Sequence, residues 1–191
     1  MIFNDIKGKL AIVTGSSRGI GKAASIGLLK QKAKVFGIDC NDATINHKSY
    51  CHYQCNLKST GDIEKTFTLI NQQTDSIDYL VNVAGVDPLI SIEEGDEKNW
   101  DEIVNINLRG YYFCIRSSLA ILRKGNGKSI VNMSSINYKL GVPGRSIYSA
   151  TKAGIIGLTT GLARELGKDD IRIDCISRVW VFTKRQKKRI L

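Results

Sequence analysis

Tyr148 and Lys152 stand four residues apart in the segment YSATK. On a helix this spacing puts both side chains on one face. A free tyrosine titrates near about 10 and is a poor base at neutral pH. Lowering that value by about three units takes roughly 4 kcal/mol of phenolate stabilisation. A lysine ammonium and the cationic ring of an oxidised nicotinamide can together supply it. Such a tyrosine takes the proton of an alcohol as hydride leaves, or returns it in the reverse direction. A Tyr–Lys pair at this spacing is common in helices, so the reading depends on what else the chain provides.

A second cluster is Thr14-Gly15-Ser16-Ser17-Arg18-Gly19-Ile20-Gly21. Gly15 suits a tight turn out of a strand, Gly19 a close backbone approach to a pyrophosphate, and Gly21 close packing of a helix on a sheet. The helix that follows offers free N–H groups and a positive dipole end to phosphates. A third candidate is Asp39. A carboxylate at the end of a second strand accepts from both adenosine ribose hydroxyls and repels a 2′-phosphate, which favours NAD over NADP. Arg18 pulls the other way, since a guanidinium suits a phosphate.

These residues need a scaffold, and the apolar pattern describes one. Short runs at 10–14 (LAIVT), 34–38 (KVFGI), 79–83 (YLVNV), 129–133 (SIVNM) and 172–176 read as strands, with a weaker one at 50–55. Between them lie helical stretches at 19–32, 60–73, 98–123 and 148–166. The alternation predicts an α/β fold: one doubly wound parallel sheet, a Rossmann fold, with helices on both faces. Ligands of such sheets bind beyond the carboxyl ends of the strands, where the strand order switches. The glycine turn and Asp39 both fall there.

Composition narrows the class. The 191 residues are 42% hydrophobic and 24% charged, which fits one globular domain. No apolar run is long enough for a bilayer, and MIFNDIKGK has no signal-peptide core, so a cytoplasmic protein is expected. Five cysteines, odd in number and scattered, read as reduced thiols. Cys51, His52 and Cys55 lack the partner pair a metal site requires, so no metal is expected. Of the net charge of +10, five positive charges lie on Lys184, Arg185, Lys187, Lys188 and Arg189. Residues 1–183 therefore read as the nucleotide-binding domain, with 184–191 as a basic tail. Such a tail can bind nucleic acid or an anionic membrane, but is more often a solvated end, and neither partner is expected.

The motifs together resemble those of the short-chain dehydrogenase/reductase family. Thr14–Gly21 resembles its TGxxxGIG segment and Asn82-Val83-Ala84-Gly85 its NNAG. Asn107 in NINLRG matches the helix asparagine, Ser135 in NMSS the serine thirteen residues before the tyrosine, and Tyr148–Lys152 the YxxxK. The resemblance runs from about Gly8 to Thr183. It implies catalytic roles for Asn107, Ser135, Tyr148 and Lys152. Ser135 would hold the substrate oxygen, Lys152 the nicotinamide ribose, and Asn107 a water linking Lys152 to solvent. It implies cofactor contacts from Gly15, Ser17, Arg18, Gly19, Ile20, Gly21, Asp39, Asn56, Leu57, Asn82, Ala84, Gly85, Tyr148, Lys152 and Thr183. The cofactor would be NAD, with NADP the less favoured choice. The substrate would be a small secondary alcohol or carbonyl compound of sugar, polyol or hydroxyacyl type. A homodimer or homotetramer formed through the long helices is also implied.

The chain departs from the family at four places. Asn56 replaces an aspartate that would meet the adenine amino group. Val83 replaces an asparagine that ties neighbouring strands. Arg178-Val179 replace a Pro-Gly turn before Thr183, where a β-branched valine cannot take the positive φ open to glycine. The sequence also ends before the family's substrate lid and last strand. These departures give a second reading: a shortened, degenerate dinucleotide-binding protein without turnover.

Overall fold

A computed structural model describes residues 3–179 and 181. Thr183 and the basic segment 184–191 lie outside the described residues. Six strands, β1 (Leu10–Thr14), β2 (Lys34–Asp39), β3 (Tyr50–Gln54), β4 (Tyr79–Asn82), β5 (Ser129–Ser135) and β6 (Arg172–Arg178), form one sheet in the order β3-β2-β1-β4-β5-β6. Every pairing is parallel. The order reverses direction between β1 and β4, which opens a crevice at their carboxyl ends.

The strands read as near-continuous apolar runs because a parallel sheet is covered on both faces. Successive side chains alternate between those faces. Ile12, Leu80 and Ile130 enter the larger core, with Ile63, Phe67 and Ile70 of α2 (Thr60–Asn71) and Cys114, Ile115 and Leu122 of α4 (Gly110–Leu122). Leu166 of α6 (Ser146–Leu166) joins the same core. Val13 and Val35 point the other way, against Leu28 and Leu29 of α1 (Gly19–Lys30).

The expected helix at 98–123 is three consecutive segments: α3 (Glu97–Val104), a π-helical turn (Asn105–Arg109) and α4. Asp96 caps α3 by accepting from the Asn99 N–H at 2.7 Å, and the Asn99 side chain closes a capping box. β5 and β6 each run two residues beyond the expected ends, to Ser135 and Arg178. A short α5 (Asn137–Leu140) follows β5 directly. Polar composition hid both: SSIN and SR carry no apolar alternation, and pairing with a neighbouring strand supplies what local pattern lacks. All five cysteines are free thiols. No described helix is long and apolar enough to cross a membrane.

Candidate active site

The glycine turn leaves β1 with Gly15 at φ +71° and Gly19 at φ +56°. Space is as restrictive as dihedral angle. A Cβ on Gly15 would sit 2.9 Å from the Ala84 backbone, and one on Gly21 would sit 2.1 Å from the Gly15 carbonyl oxygen. Helix α1 therefore starts directly against the end of β1. Its first intrahelical bond runs from the Lys22 N–H to the Arg18 carbonyl at 3.2 Å. The N–H groups of Gly19, Ile20 and Gly21 precede it and face the crevice end with no acid in the first turn. An anion is the natural partner of such a terminus.

Asp39 ends β2 and is buried. Its Oδ2 accepts the Ser17 N–H at 3.0 Å, and its Oδ1 accepts both the Asn41 N–H at 2.9 Å and the Asn41 side-chain amide at 2.8 Å. Each carboxylate oxygen accepts two bonds, so Oδ2 keeps one place for a ribose hydroxyl. Ser17 is committed elsewhere: its hydroxyl donates to the Asp42 carbonyl at 2.8 Å, and its own carbonyl accepts from the Thr44 hydroxyl at 2.6 Å. Ser17 thus positions Asp39 and the loop 41–44, rather than presenting its hydroxyl to a phosphate. Arg18 is exposed at the helix cap.

After β3, Asn56 is exposed and its side chain accepts from the Lys58 N–H at 3.1 Å, closing a turn. Leu57 is buried, with Gly110 packed so closely that a Cβ there would lie 3.1 Å from it. Its side chain is core, and only its backbone remains for a ligand. After β4, the Val83 and Ala84 N–H groups donate to the Thr14 hydroxyl at 3.0 and 3.2 Å. The substitution at Val83 leaves the strands tied, because Asn82 still donates to Asn132 at 3.0 Å and Asn132 to Thr159 at 3.1 Å. Gly85 is exposed, and a Cβ there would approach the Asn107 side-chain oxygen to 3.1 Å and the Lys152 ammonium to 3.9 Å. The cradle is therefore built for backbone contact along its whole length, which fits a dinucleotide.

Tyr148 and Lys152 lie on one face of α6, as the spacing requires, and both are buried. Lys152 Nζ donates to the Met133 carbonyl at 2.8 Å and lies 5.3 Å from the Tyr111 ring centre and 5.6 Å from that of Tyr148. Ser134 fixes the helix to β5 by donating to the Lys152 carbonyl at 2.7 Å. Ser135, one residue on, accepts weakly from the Asn137 N–H at 3.4 Å. Asn107 sits within the π-helical turn and clasps Val86, accepting its N–H at 2.9 Å and donating to its carbonyl at 2.8 Å. Its side chain holds the loop after β4. A wider turn of this kind often marks a functional position in a helix.

Ser135 and Tyr148 share a small cavity with Asp87, Asn137, Arg145, Arg178 and Val179. Arg145 Nη1 bonds the Asp87 carboxylate at 2.8 Å, with both side chains almost out of solvent. Asp87, Arg145 and Tyr111 were not evident as site residues in the sequence. Arg145 had a signal, since it precedes Tyr148 by three residues and so lies one helical turn before it. Asp87 lies two residues after the loop glycine Gly85 and had none.

Burial, and next the Arg178 guanidinium, hold Lys152 well below its ordinary 10.5, down to about 7. Between those values the unfolded chain keeps a proton that the folded chain has released, so stability rises with pH across that window. Below about 7 both forms are protonated and the buried charge bears its full penalty. Urea unfolding of the wild-type chain and a Lys152→Met variant, from about pH 6.5 to about 9.5, reads this directly. The difference should move in favour of the wild type as pH rises; a pH-independent difference would contradict the buried, depressed lysine.

The comparisons with known proteins agree with this fold. The short chain dehydrogenase family profile matches residues 9–190. A D-xylose 1-dehydrogenase of Caulobacter vibrioides is 34% identical across 98% of this chain and 77% of its own length. Among solved structures, the ligand-free aldohexose dehydrogenase of Thermoplasma acidophilum superposes with a TM-score of 0.92 at 28% identity, covering 98% of this chain and 72% of that one. The 3-ketoacyl-(acyl-carrier-protein) reductase of Brucella melitensis, complexed with NADH, gives 0.87 at 25% identity, covering 94% and 78%. With the profile running the length of the domain, Ser135 and Tyr148 sharing one cavity and Lys152 packed beside Tyr148, this chain belongs to the short-chain dehydrogenase/reductase family of oxidoreductases.

Proposed function

We propose that this chain transfers hydride between NAD(H) and a secondary alcohol or carbonyl compound of sugar, polyol or hydroxyacyl type. The observation that carries the proposal is the meeting of Ser135, Tyr148 and Lys152 beside a backbone cradle whose glycines leave no room for side chains. The nicotinamide supplies the hydride when bound. The protein holds the reacting oxygen and moves its proton. Ser135 binds the substrate oxygen, and Tyr148 donates the proton to it in reduction or accepts it in oxidation. Lys152 stabilises the phenolate and holds the nicotinamide ribose. Asn107, Asn82, Ala84 and Gly85 shape the wall of the crevice, while Gly15, Arg18, Gly19, Ile20 and Gly21 meet the pyrophosphate. Asn56 and the Leu57 backbone border the adenine, and Thr183 would meet the carboxamide. A side-chain set of carboxylate, amide and guanidinium in the cavity suits a polyhydroxylated substrate, and the relatives include a D-xylose 1-dehydrogenase.

Asp39 supports NAD over NADP. It is fixed by Ser17 and Asn41, so it cannot swing away from a 2′-phosphate, and burial strengthens the repulsion. Titration with NADH and NADPH, before and after Asp39→Ser, tests this choice. NADH should bind more tightly to the wild-type chain, and the variant should narrow the gap by about tenfold or more, equal to roughly 1.4 kcal/mol. A wild-type chain that prefers NADPH would overturn the assignment. The exposed Tyr112 beside Phe113 on α4 supports self-association through that helix and α6. The free thiols support a reducing, cytoplasmic setting.

A further inference from the structure

The register of β6 puts Arg178 opposite Ser135, and its carbonyl accepts the Ile136 N–H at 3.0 Å. The Arg178 backbone is therefore fixed beside the serine that receives the substrate oxygen. Its side chain lines the cavity that Ser135 and Tyr148 share. Among the described residues, its guanidinium bonds only the neighbouring Val179 carbonyl, at 3.4 Å. The one carboxylate in the cavity wall, Asp87, is already held at 2.8 Å by Arg145. Arg145 offsets the charge of Asp87, and Arg178 adds a second positive charge to the cavity wall. That charge reaches the neighbouring lysine, where it is the next cause after burial in favouring the neutral amine.

On the reading above, hydride passes to or from a carbon whose oxygen lies at Ser135 and Tyr148. The nicotinamide ring must then come to this cavity. The oxidised ring carries a positive charge and the reduced ring carries none. A guanidinium that lines the cavity therefore raises the free energy of the oxidised complex and leaves the reduced one nearly unchanged. We propose that Arg178 makes this site bind NADH in preference to NAD⁺.

The proposal rests on the dinucleotide reading, and the experiment separates the two. Isothermal titration of the full chain would measure the dissociation constants of NADH, NAD⁺ and ADP-ribose at one pH and ionic strength. ADP-ribose lacks the nicotinamide ring and reports the adenosine cradle alone. The same titrations would be run on Arg178→Gln and Arg178→Lys. The ratio of the NAD⁺ to the NADH constant should fall about three- to tenfold in the glutamine variant, through tighter NAD⁺ binding, and persist in the lysine variant. ADP-ribose should bind all three proteins alike, which also reports that the variants are folded. An unchanged ratio in Arg178→Gln, with ADP-ribose still bound, would overturn the role of Arg178 and leave the dinucleotide reading standing. Failure of the wild-type chain to bind any of the three would overturn both.

Discussion

Replacing Tyr148 by Phe is expected to lower kcat by about 10²–10⁴-fold, the usual contribution of a positioned general acid or base. Phe keeps the ring on which the helix packs and removes only the hydroxyl. The ring is buried, and the Lys152 ammonium lies 5.6 Å from its centre, so its loss from the fold would be felt while the loss of oxygen would not. NADH affinity should therefore stay within about twofold, and the melting temperature should hardly move. Lys152→Met is the informative companion. It removes both the charge that stabilises the phenolate and the donor proposed for the nicotinamide ribose, so affinity and turnover should fall together. Steady-state kinetics beside a binding titration separate the two patterns. A Tyr148→Phe variant that turns over normally would move the proton transfer to another group.

Replacing Arg145 by Met is expected to destabilise the fold by about 3–5 kcal/mol, because it leaves the Asp87 carboxylate buried without its guanidinium. The pair is 2.8 Å long, with side-chain exposures of 10% and 6%. A loss of that size is a large fraction of the roughly 5–15 kcal/mol that holds a domain together. The penalty comes from the buried carboxylate losing its ion-pair partner rather than from the pair's own worth. Asp87→Asn combined with Arg145→Met should then be clearly less damaging than Arg145→Met alone. Urea unfolding of the two single variants and the double variant measures the coupling. Additive losses would show that the two side chains act independently. The buried Arg145 Nε has no partner among the described residues.

The strand pattern and the glycine turn could be read from the sequence because both follow from local rules. Parallel strands buried on both faces leave continuous apolar runs, and LAIVT and SIVNM mark β1 and β5 without help from the rest of the chain. Tyr148 and Lys152 were legible for the same reason, since four residues on a helix is a fixed distance in space. What escaped was set by contacts between distant segments. The π-helical turn at 105–109 places Asn107 on Val86, and no propensity scale separates it from the helix around it. Ser17 has the residue type of a phosphate-loop donor, yet the loop after β2 claims its hydroxyl. Leu57 falls at the motif position of a ligand contact, but its side chain fills the core against α4. Arg178 could be recognised as a departure from a Pro-Gly turn. Only the pairing of β6 with β5 brings the arginine to the cavity wall beside Ser135 and Tyr148.

Turnover by the purified full chain tests the central claim most directly. The protein would be offered NADH with carbonyl compounds, and NAD⁺ with aldoses, polyols and 3-hydroxyacyl thioesters, while absorbance follows the nicotinamide. Stoichiometric oxidation or reduction of the cofactor with at least one of these classes, abolished by Tyr148→Phe, is the predicted result. Saturable NADH binding with no hydride transfer in either direction would contradict it, and would leave a dinucleotide-binding protein whose tyrosine, lysine and serine do no chemistry.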